Sequence, residues 1–414
     1  MTWGPVSVDE IRAAAGMLHA VANPTPLLHS RYLSELVGGP VYLKCENLQR
    51  TGSFKVRGAY VRISRLSEAE RARGVVAASA GNHAQGVALA ASLLGCRATV
   101  FMPEGAPLPK VAATKAYGAE VMFPGPNVDA CLVAAQAYAE EKGAVFIHPF
   151  DHPDVVAGQG TIGLEILEQC PDVRTIVTAV GGGGLVAGIA AAVKGGTAID
   201  HRQSRPGEGV SVIGVQAKRA ASFPPSLAAG RPVRIEIGTT MADGIAVGRP
   251  GDLTFDLVSK LVDSVVTVSE ESLSQALLLC LERSKQVVEP AGAAGVAAML
   301  EHTYAFEPPV VALLSGGNID PVLLAKVLRH GLVVAGRYMV VRCRVRDRPG
   351  ALVTLLGELA ALGVNVLDVA HERDNARLHV EDAEVLLHLE TRGPDHCDEV
   401  LSRLRGKGYT LTLD

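Results

Sequence analysis

Lys55 lies in the run Thr51-Gly52-Ser53-Phe54-Lys55-Val56-Arg57-Gly58, between two glycines and beside an aromatic ring. A surface lysine needs no such packaging. A lysine that condenses with an aldehyde cofactor does: it needs close backbone approach, an apolar neighbour and surroundings that let the amine lose its proton. Gly181-Gly182-Gly183-Gly184 is a second candidate. It follows a predicted strand and precedes an apolar helix, Leu185 to Val193. Consecutive backbone N–H groups there can crowd around a phosphate at a helix N-terminus. An ordinary tight turn is the plainer reading, and the strand–turn–helix context favours the phosphate. No Gly-Lys-Ser/Thr follows, so this is not a Walker loop. Nor is it G-x-G-x-x-G with an acidic residue on the next strand.

Two further turns close predicted strands. Ser79-Ala80-Gly81-Asn82-His83 opens a helix, and its small residues and amide can hold a substrate carboxylate while Asn82 donates to a cofactor oxygen. A histidine in such a place is more often structural than functional. Ser315-Gly316-Gly317-Asn318 puts a hydroxyl where it can bond a pyridine nitrogen. Serine, unlike a carboxylate, leaves that nitrogen largely unprotonated, which moderates an electron sink and favours elimination. Lysine, phosphate turn and ring-nitrogen hydroxyl are together the parts of a pyridoxal phosphate (PLP) site.

These segments resemble the fold-type II PLP enzymes of the threonine dehydratase (threonine ammonia-lyase) group. Further matches are Asn23-Pro24-Thr25-Pro26-Leu27, Ala157-Gly158-Gln159-Gly160-Thr161, Met241-Ala242-Asp243-Gly244 and Glu289-Pro290-Ala291-Gly292. The resemblance runs in unbroken order from 20 to 325. It implies that Lys55 bonds the cofactor, that Phe54 packs beside the ring and that Asn82 faces its hydroxyl. It further implies that Gly181, Gly182, Gly183 and Gly184 hold the phosphate, that Gly244 presents backbone near the cofactor and that Ser315 meets the ring nitrogen. Ser79, Gly81, Asn82 and His83 would surround the substrate carboxylate. The reaction implied is L-threonine to 2-oxobutanoate and ammonia, with L-serine following the same route.

Two departures matter. Related serine racemases carry a second serine where this chain has Ala80, so racemisation is not expected as the main activity. Where some relatives bind a divalent ion through carboxylates, this chain has Gln216 and Ser222, a poor set for a hard cation, and no metal is predicted. Alternatives are an L-serine-preferring dehydratase, an amino-acid sensor with an inactive core, and a β-replacement synthase of the cysteine type. One methyl is worth only ~1–3 kcal/mol, so no residue decides threonine against serine by inspection. The intact Lys55 speaks against the sensor. Val56 before Arg57, and Asn82-His83 in place of Asn-Thr, speak against the synthase.

The elements that would position these residues alternate. A capping-box start at Ser7-Val8-Asp9-Glu10 predicts an amphipathic helix over 7–22. Apolar strands are predicted at 74–79, 98–102, 118–123, 145–147, 175–180, 210–215 and 309–314, with helices between. Continuous apolar strands separated by helices predict an α/β protein with open parallel sheets covered on both faces. Near 333 the pattern becomes βαββαβ, the ferredoxin-like unit. Asp347-Arg348-Pro349-Gly350-Ala351-Leu352 and Gly363-Val364-Asn365-Val366 resemble a single ACT domain, an amino-acid-sensing module. The predicted organisation is a catalytic part over 1–332, with a smaller subdomain over about 55–155, and an ACT domain over 337–414. Gly350, Ala351 and Asn365 would hold an effector of the isoleucine or valine type, and paired tails predict a homodimer or homotetramer.

The chain has 414 residues, 48% hydrophobic and 20% charged, with net charge −4. That suffices for two or three domains and gives no reason to expect nucleic acid. Its 7 cysteines form no CxxC pair, which suggests reduced thiols. The start, Met-Thr-Trp-Gly-Pro, has no secretory pattern. The run Ala179 to Val193 is too short to span a bilayer. These features predict a cytoplasmic protein.

Overall fold

The computed structural model describes residues 6–195, 209–303, 306–373 and 378–413. The first five residues, on which the leader reading rests, lie outside that set. The chain packs as two units, Met1–Leu324 and Ala325–Asp414.

In the first unit the strands are β1 (Leu27–His29), β2 (Val41–Lys44), β3 (Val75–Ala78), β4 (Ala98–Phe101), β5 (Glu120–Met122), β6 (Val145–Phe146), β7 (Thr175–Ala179), β8 (Ser211–Ala217), β9 (Ser264–Val268) and β10 (Val310–Leu313). They sort into two sheets. The smaller runs β5-β4-β3-β6 and is wholly parallel. The larger runs β1-β2-β10-β7-β8-β9, parallel except for β1, which pairs antiparallel with β2 at the edge. Every residue of β3, β4, β7 and β10 is buried, as continuous apolar strands under helices on both faces require.

Ser7 accepts from Glu10 N, and the Glu10 carboxylate accepts from Ser7 N, so the capping box forms and starts the helix Val8–Leu18. That helix packs on Pro153–Gln169, which also packs against Lys55–Ser64 and Gly184–Lys194. The two helices that follow the functional turns, Asn82–Leu93 and Gly184–Lys194, have no side-chain cap. Their first N–H groups have no intrahelical acceptor.

Lys55–Ser64 is anchored by buried charge. Arg57 is 1% exposed. It donates Nε and Nη2 to the Glu46 carboxylate at 2.9 and 2.8 Å, and Nη1 to Thr161 Oγ1 at 3.1 Å and Glu165 Oε1 at 2.6 Å. Lys44 Nζ, equally buried, donates to Glu165 Oε2 at 2.5 Å and to the Thr25 carbonyl at 2.9 Å. Burial pulls the Arg57 guanidinium down, but the two carboxylates outweigh it and leave the group above its ordinary range. The network fixes the helix two residues beyond Lys55.

The second unit has the order β11 (Tyr338–Arg346), helix Ala351–Ala361, β12 (Asn365–Glu372), β13 (Asp382–Glu390), helix Pro394–Gly406 and β14 (Thr410–Leu413). Its antiparallel sheet runs β12-β13-β11-β14. This is the predicted βαββαβ unit. Alternate residues of β11 and β13 are buried and form one core with Leu355, Leu359, Val400 and Leu404 of the helices. β12 is an edge strand with Leu367 exposed.

Candidate active site

Lys55 opens a helix that faces a cavity of about 720 Å³ in the first unit. Phe54, Lys55, Ser79, Gly81, Asn82, His83, Gly181, Gly182, Gly183, Gly184, Gly244 and Ser315 all line that cavity. Four turns that are remote in sequence therefore converge. The turns after β3, β7 and β10 all lie at strand carboxyl ends, the usual place for a ligand in an open α/β sheet.

Lys55 Nζ donates to the Pro149 carbonyl at 3.0 Å and lies 5.2 Å from the centre of the Phe54 ring. Burial pulls its pKa down to about 8, against an opposing pull from Glu289. The neutral amine is therefore far more accessible near neutrality than for an ordinary lysine, as a nucleophile or base requires.

The glycine turn depends on the absence of side chains. A Cβ on Gly182 would overlap the Phe150 ring, and Gly183 holds φ +102°. The Gly182 carbonyl accepts from Thr254 Oγ1 at 2.6 Å, which turns it away from any anion held by the N–H groups at the start of Gly184–Lys194.

Asn82 Nδ2 donates to Glu289 Oε1 at 2.6 Å, and its Oδ1 accepts from Asn318 Nδ2 at 2.8 Å. Ser79 Oγ accepts from Gly81 N at 3.1 Å and braces the turn. His83 is buried, and its ring donates from Nε2 to the Ile147 carbonyl at 2.8 Å. Burial and the charge of Lys55 drive its pKa down to about 3, so it offers a neutral edge and no positive charge. Ala80 also lines the cavity, so its place on the wall carries no hydroxyl.

Sequence reasoning assigned no role to Glu289, although its motif was noted. It is buried, lines the cavity and rises to about 7, first through burial and then through Asp243. It also missed the segment His148–Asp151. Pro149 meets Lys55, Phe150 packs on the glycine turn, and both Asp151 oxygens accept N–H groups of the helix Asp252–Leu261. An acid next to a proline was the sole local signal for Glu289, and nothing local marked His148–Asp151.

Gln216 Oε1 accepts from Phe223 N at 2.9 Å, while Gln216 Nε2 and the Ser222 hydroxyl are buried without a protein partner. Among the described residues no group of three or more side chains has metal-ligating chemistry. Gly350, Ala351 and Asn365 belong to the second unit. Gly350, at φ +86°, precedes the helix Ala351–Ala361, and Asn365 Nδ2 donates to Glu390 Oε2 at 2.9 Å.

Residues 19–316 match the profile of the "Pyridoxal-phosphate dependent enzyme" family. The chain belongs to that family. Residues 339–405 match the ACT domain. An L-threonine ammonia-lyase of Thermotoga maritima is 48% identical over 408 residues, covering 99% of both chains. The crystal structure of a T.th. threonine deaminase aligns with TM-score 0.70 and 44% identity over 76% of this chain and 99% of that one. Maize serine racemase aligns with TM-score 0.72 and 34% identity over 80% and 99%. The residues present fit the family's cofactor. A lysine amine, an uncapped glycine turn, an oriented asparagine amide and a serine hydroxyl face one cavity, and its volume falls in the ordinary range for small-molecule sites.

Proposed function

We propose that the chain is a PLP-dependent L-threonine ammonia-lyase that forms 2-oxobutanoate and ammonia, acts also on L-serine, and is controlled through its ACT domain. The observation that carries this is Lys55, whose amine stands in one cavity with the glycine turn and the Ser79–Asn82 turn. The near full-length identity to an L-threonine ammonia-lyase supports it.

In this reading Lys55 holds the cofactor, Gly181–Gly184 bind its phosphate, Asn82 bonds its hydroxyl, Ser315 its ring nitrogen, and Phe54 and Gly244 flank it. PLP, when bound, supplies the electron sink that makes the substrate Cα acidic. Ser79, Gly81 and Asn82 orient the substrate carboxylate, with His83 as a neutral wall. With PLP bound, Lys55 Nζ would be the base that takes the substrate Cα proton, and the β-hydroxyl would take up a proton and leave as water. Pro149 O and the Phe54 ring hold Nζ in the cavity. Ala80 leaves no hydroxyl at its position to return a proton from the other face, which favours elimination over racemisation.

The catalytic part occupies 1–332, with its smaller lobe near 55–155, and the ACT domain occupies 337–414. Gly350, Ala351 and Asn365 bind an isoleucine- or valine-type effector, and the protein is a cytoplasmic homodimer or homotetramer. The edge strand β12 with exposed Leu367 supports pairing of the tails. The reading predicts that Lys55→Ala abolishes both the visible absorption of bound PLP and threonine turnover, with circular dichroism unchanged. Turnover at the parent rate would overturn it.

A further inference from the structure

Lys110 lies on the helix Leu108–Ala116, in the lobe of the smaller sheet, and reaches the wall of the cavity. Its side chain is only 11% exposed. Its ion-pair partner among the described residues is Asp243, with Nζ 3.3 Å from Oδ2, and the Asp243 side chain is 60% exposed. The pair is long for a charge-assisted hydrogen bond, which ordinarily spans about 2.7–2.9 Å. An exposed carboxylate is also well screened. A nearly buried ammonium is thus poorly neutralised. Glu289, the other acid on this side, is already bonded by Asn82.

The ammonium also stands against the Ser79–Asn82 turn. A Cβ built on Gly81 would lie 3.8 Å from Lys110 Nζ. A carboxylate seated on the N–H groups of that turn would come within reach of Lys110 Nζ. Asp243 belongs to another wall, in the short helical turn Asp243–Ile245 beside Gly244. We propose that Lys110 is a substrate-binding residue that takes the carboxylate of the amino acid, and that Asp243 is a positioning residue that competes with the substrate for it. The inference rests on the reading that the Ser79–Asn82 turn receives the substrate carboxylate.

Competition makes the two partners act in opposite directions, whereas a plain latch between the walls would make them act alike. The test measures KM and kcat for L-threonine and, by calorimetry on the holoenzyme, the Kd of 2-oxobutanoate. That product carries the carboxylate without the amine, so attraction between Asp243 and a substrate ammonium does not enter. Lys110→Met should weaken both KM and Kd about tenfold while kcat changes far less. Lys110→Arg should recover most of the affinity. Asp243→Asn should tighten the product Kd by about threefold, a surface-pair magnitude. Equal-direction effects of Lys110→Met and Asp243→Asn, or an unchanged Kd in Lys110→Met, would overturn the proposal. Ser79→Ala separates the underlying reading. If it leaves the Kd unchanged, the turn does not receive the carboxylate, whatever Lys110 does.

Discussion

Asn82 and Glu289 stand 207 residues apart in sequence and share a 2.6 Å hydrogen bond from Nδ2 to Oε1. Asn318 closes the other side of the amide, donating to Asn82 Oδ1 at 2.8 Å and to the Thr51 carbonyl at 2.6 Å. A flipped Asn82 would face donor with donor and acceptor with acceptor, so its orientation is dictated by its neighbours. Glu289 thus positions an amide that lines the cavity and also tunes the charge there.

Glu289→Gln tests that role through pH. Burial, then Asp243, raise Glu289 to about 7, against Lys110, Asn82 and Lys55. A raised carboxyl is most favourable to folding when protonated. Its contribution is present below the ordinary carboxylate range and is lost as pH rises through about 7. The variant should therefore be more stable than the parent at about pH 8 and no more stable at about pH 4 in urea unfolding. Removing the anion also removes what raises Lys55, so the acid limb of kcat should move to lower pH. A pH-independent stability difference would contradict the account.

Gly182→Ala should weaken PLP binding by at least about tenfold, because the new Cβ meets the Phe150 ring and must displace the turn. Retention of visible absorbance through dialysis measures this. Gly357→Ala is the control. Beyond its own helix backbone nothing lies within 4 Å of a Cβ there, it sits in the helix Ala351–Ala361, and it should keep its PLP.

Arg57→Met should cost about 3–5 kcal/mol in unfolding free energy, since it strands the Glu46 carboxylate at 0% exposure. The double variant Arg57→Met/Glu46→Leu should recover part of that loss, because no lone charge is then buried. Equal destabilisation by the single and double variants would show that volume, not charge, dominates at this site.

Deleting residues 337–414 should leave basal turnover and remove any response to isoleucine or valine. In the full chain such an effector should shift the apparent affinity for threonine by ~5–150-fold. Asn365→Ala should reduce the shift without changing kcat in the absence of effector. Kinetics indifferent to millimolar isoleucine and valine would leave the tail with a structural role alone.

Much of this was legible because its signals are local. Glycines after β7, the small turn after β3 and the serine after β10 each announce a strand end by composition. The helix Val128–Lys142, one of those expected between the strands, is bounded by such local signals: Asn127 caps it and Gly143 ends it. β1, β2 and β9 were not singled out: three to five residues, partly exposed, carry little periodic signal. The buried charge network was also invisible. Arg57 meets Glu46 from 11 residues away and Lys44 meets Glu165 from 121 away, so in sequence each resembles a solvated surface charge. The role of Glu289 likewise depends on a partner that only the folded chain supplies.

The segment His148–Asp151 ties together residues that no alignment of motifs would join. Pro149 faces the lysine, Phe150 fills the space that Gly182 vacates, and Asp151 holds the helix Asp252–Leu261. The room for a side chain at 182 is therefore set by the ring at 150. A side chain at 182 has room only where the one at 150 is smaller, so the two positions form one steric unit although 32 residues separate them.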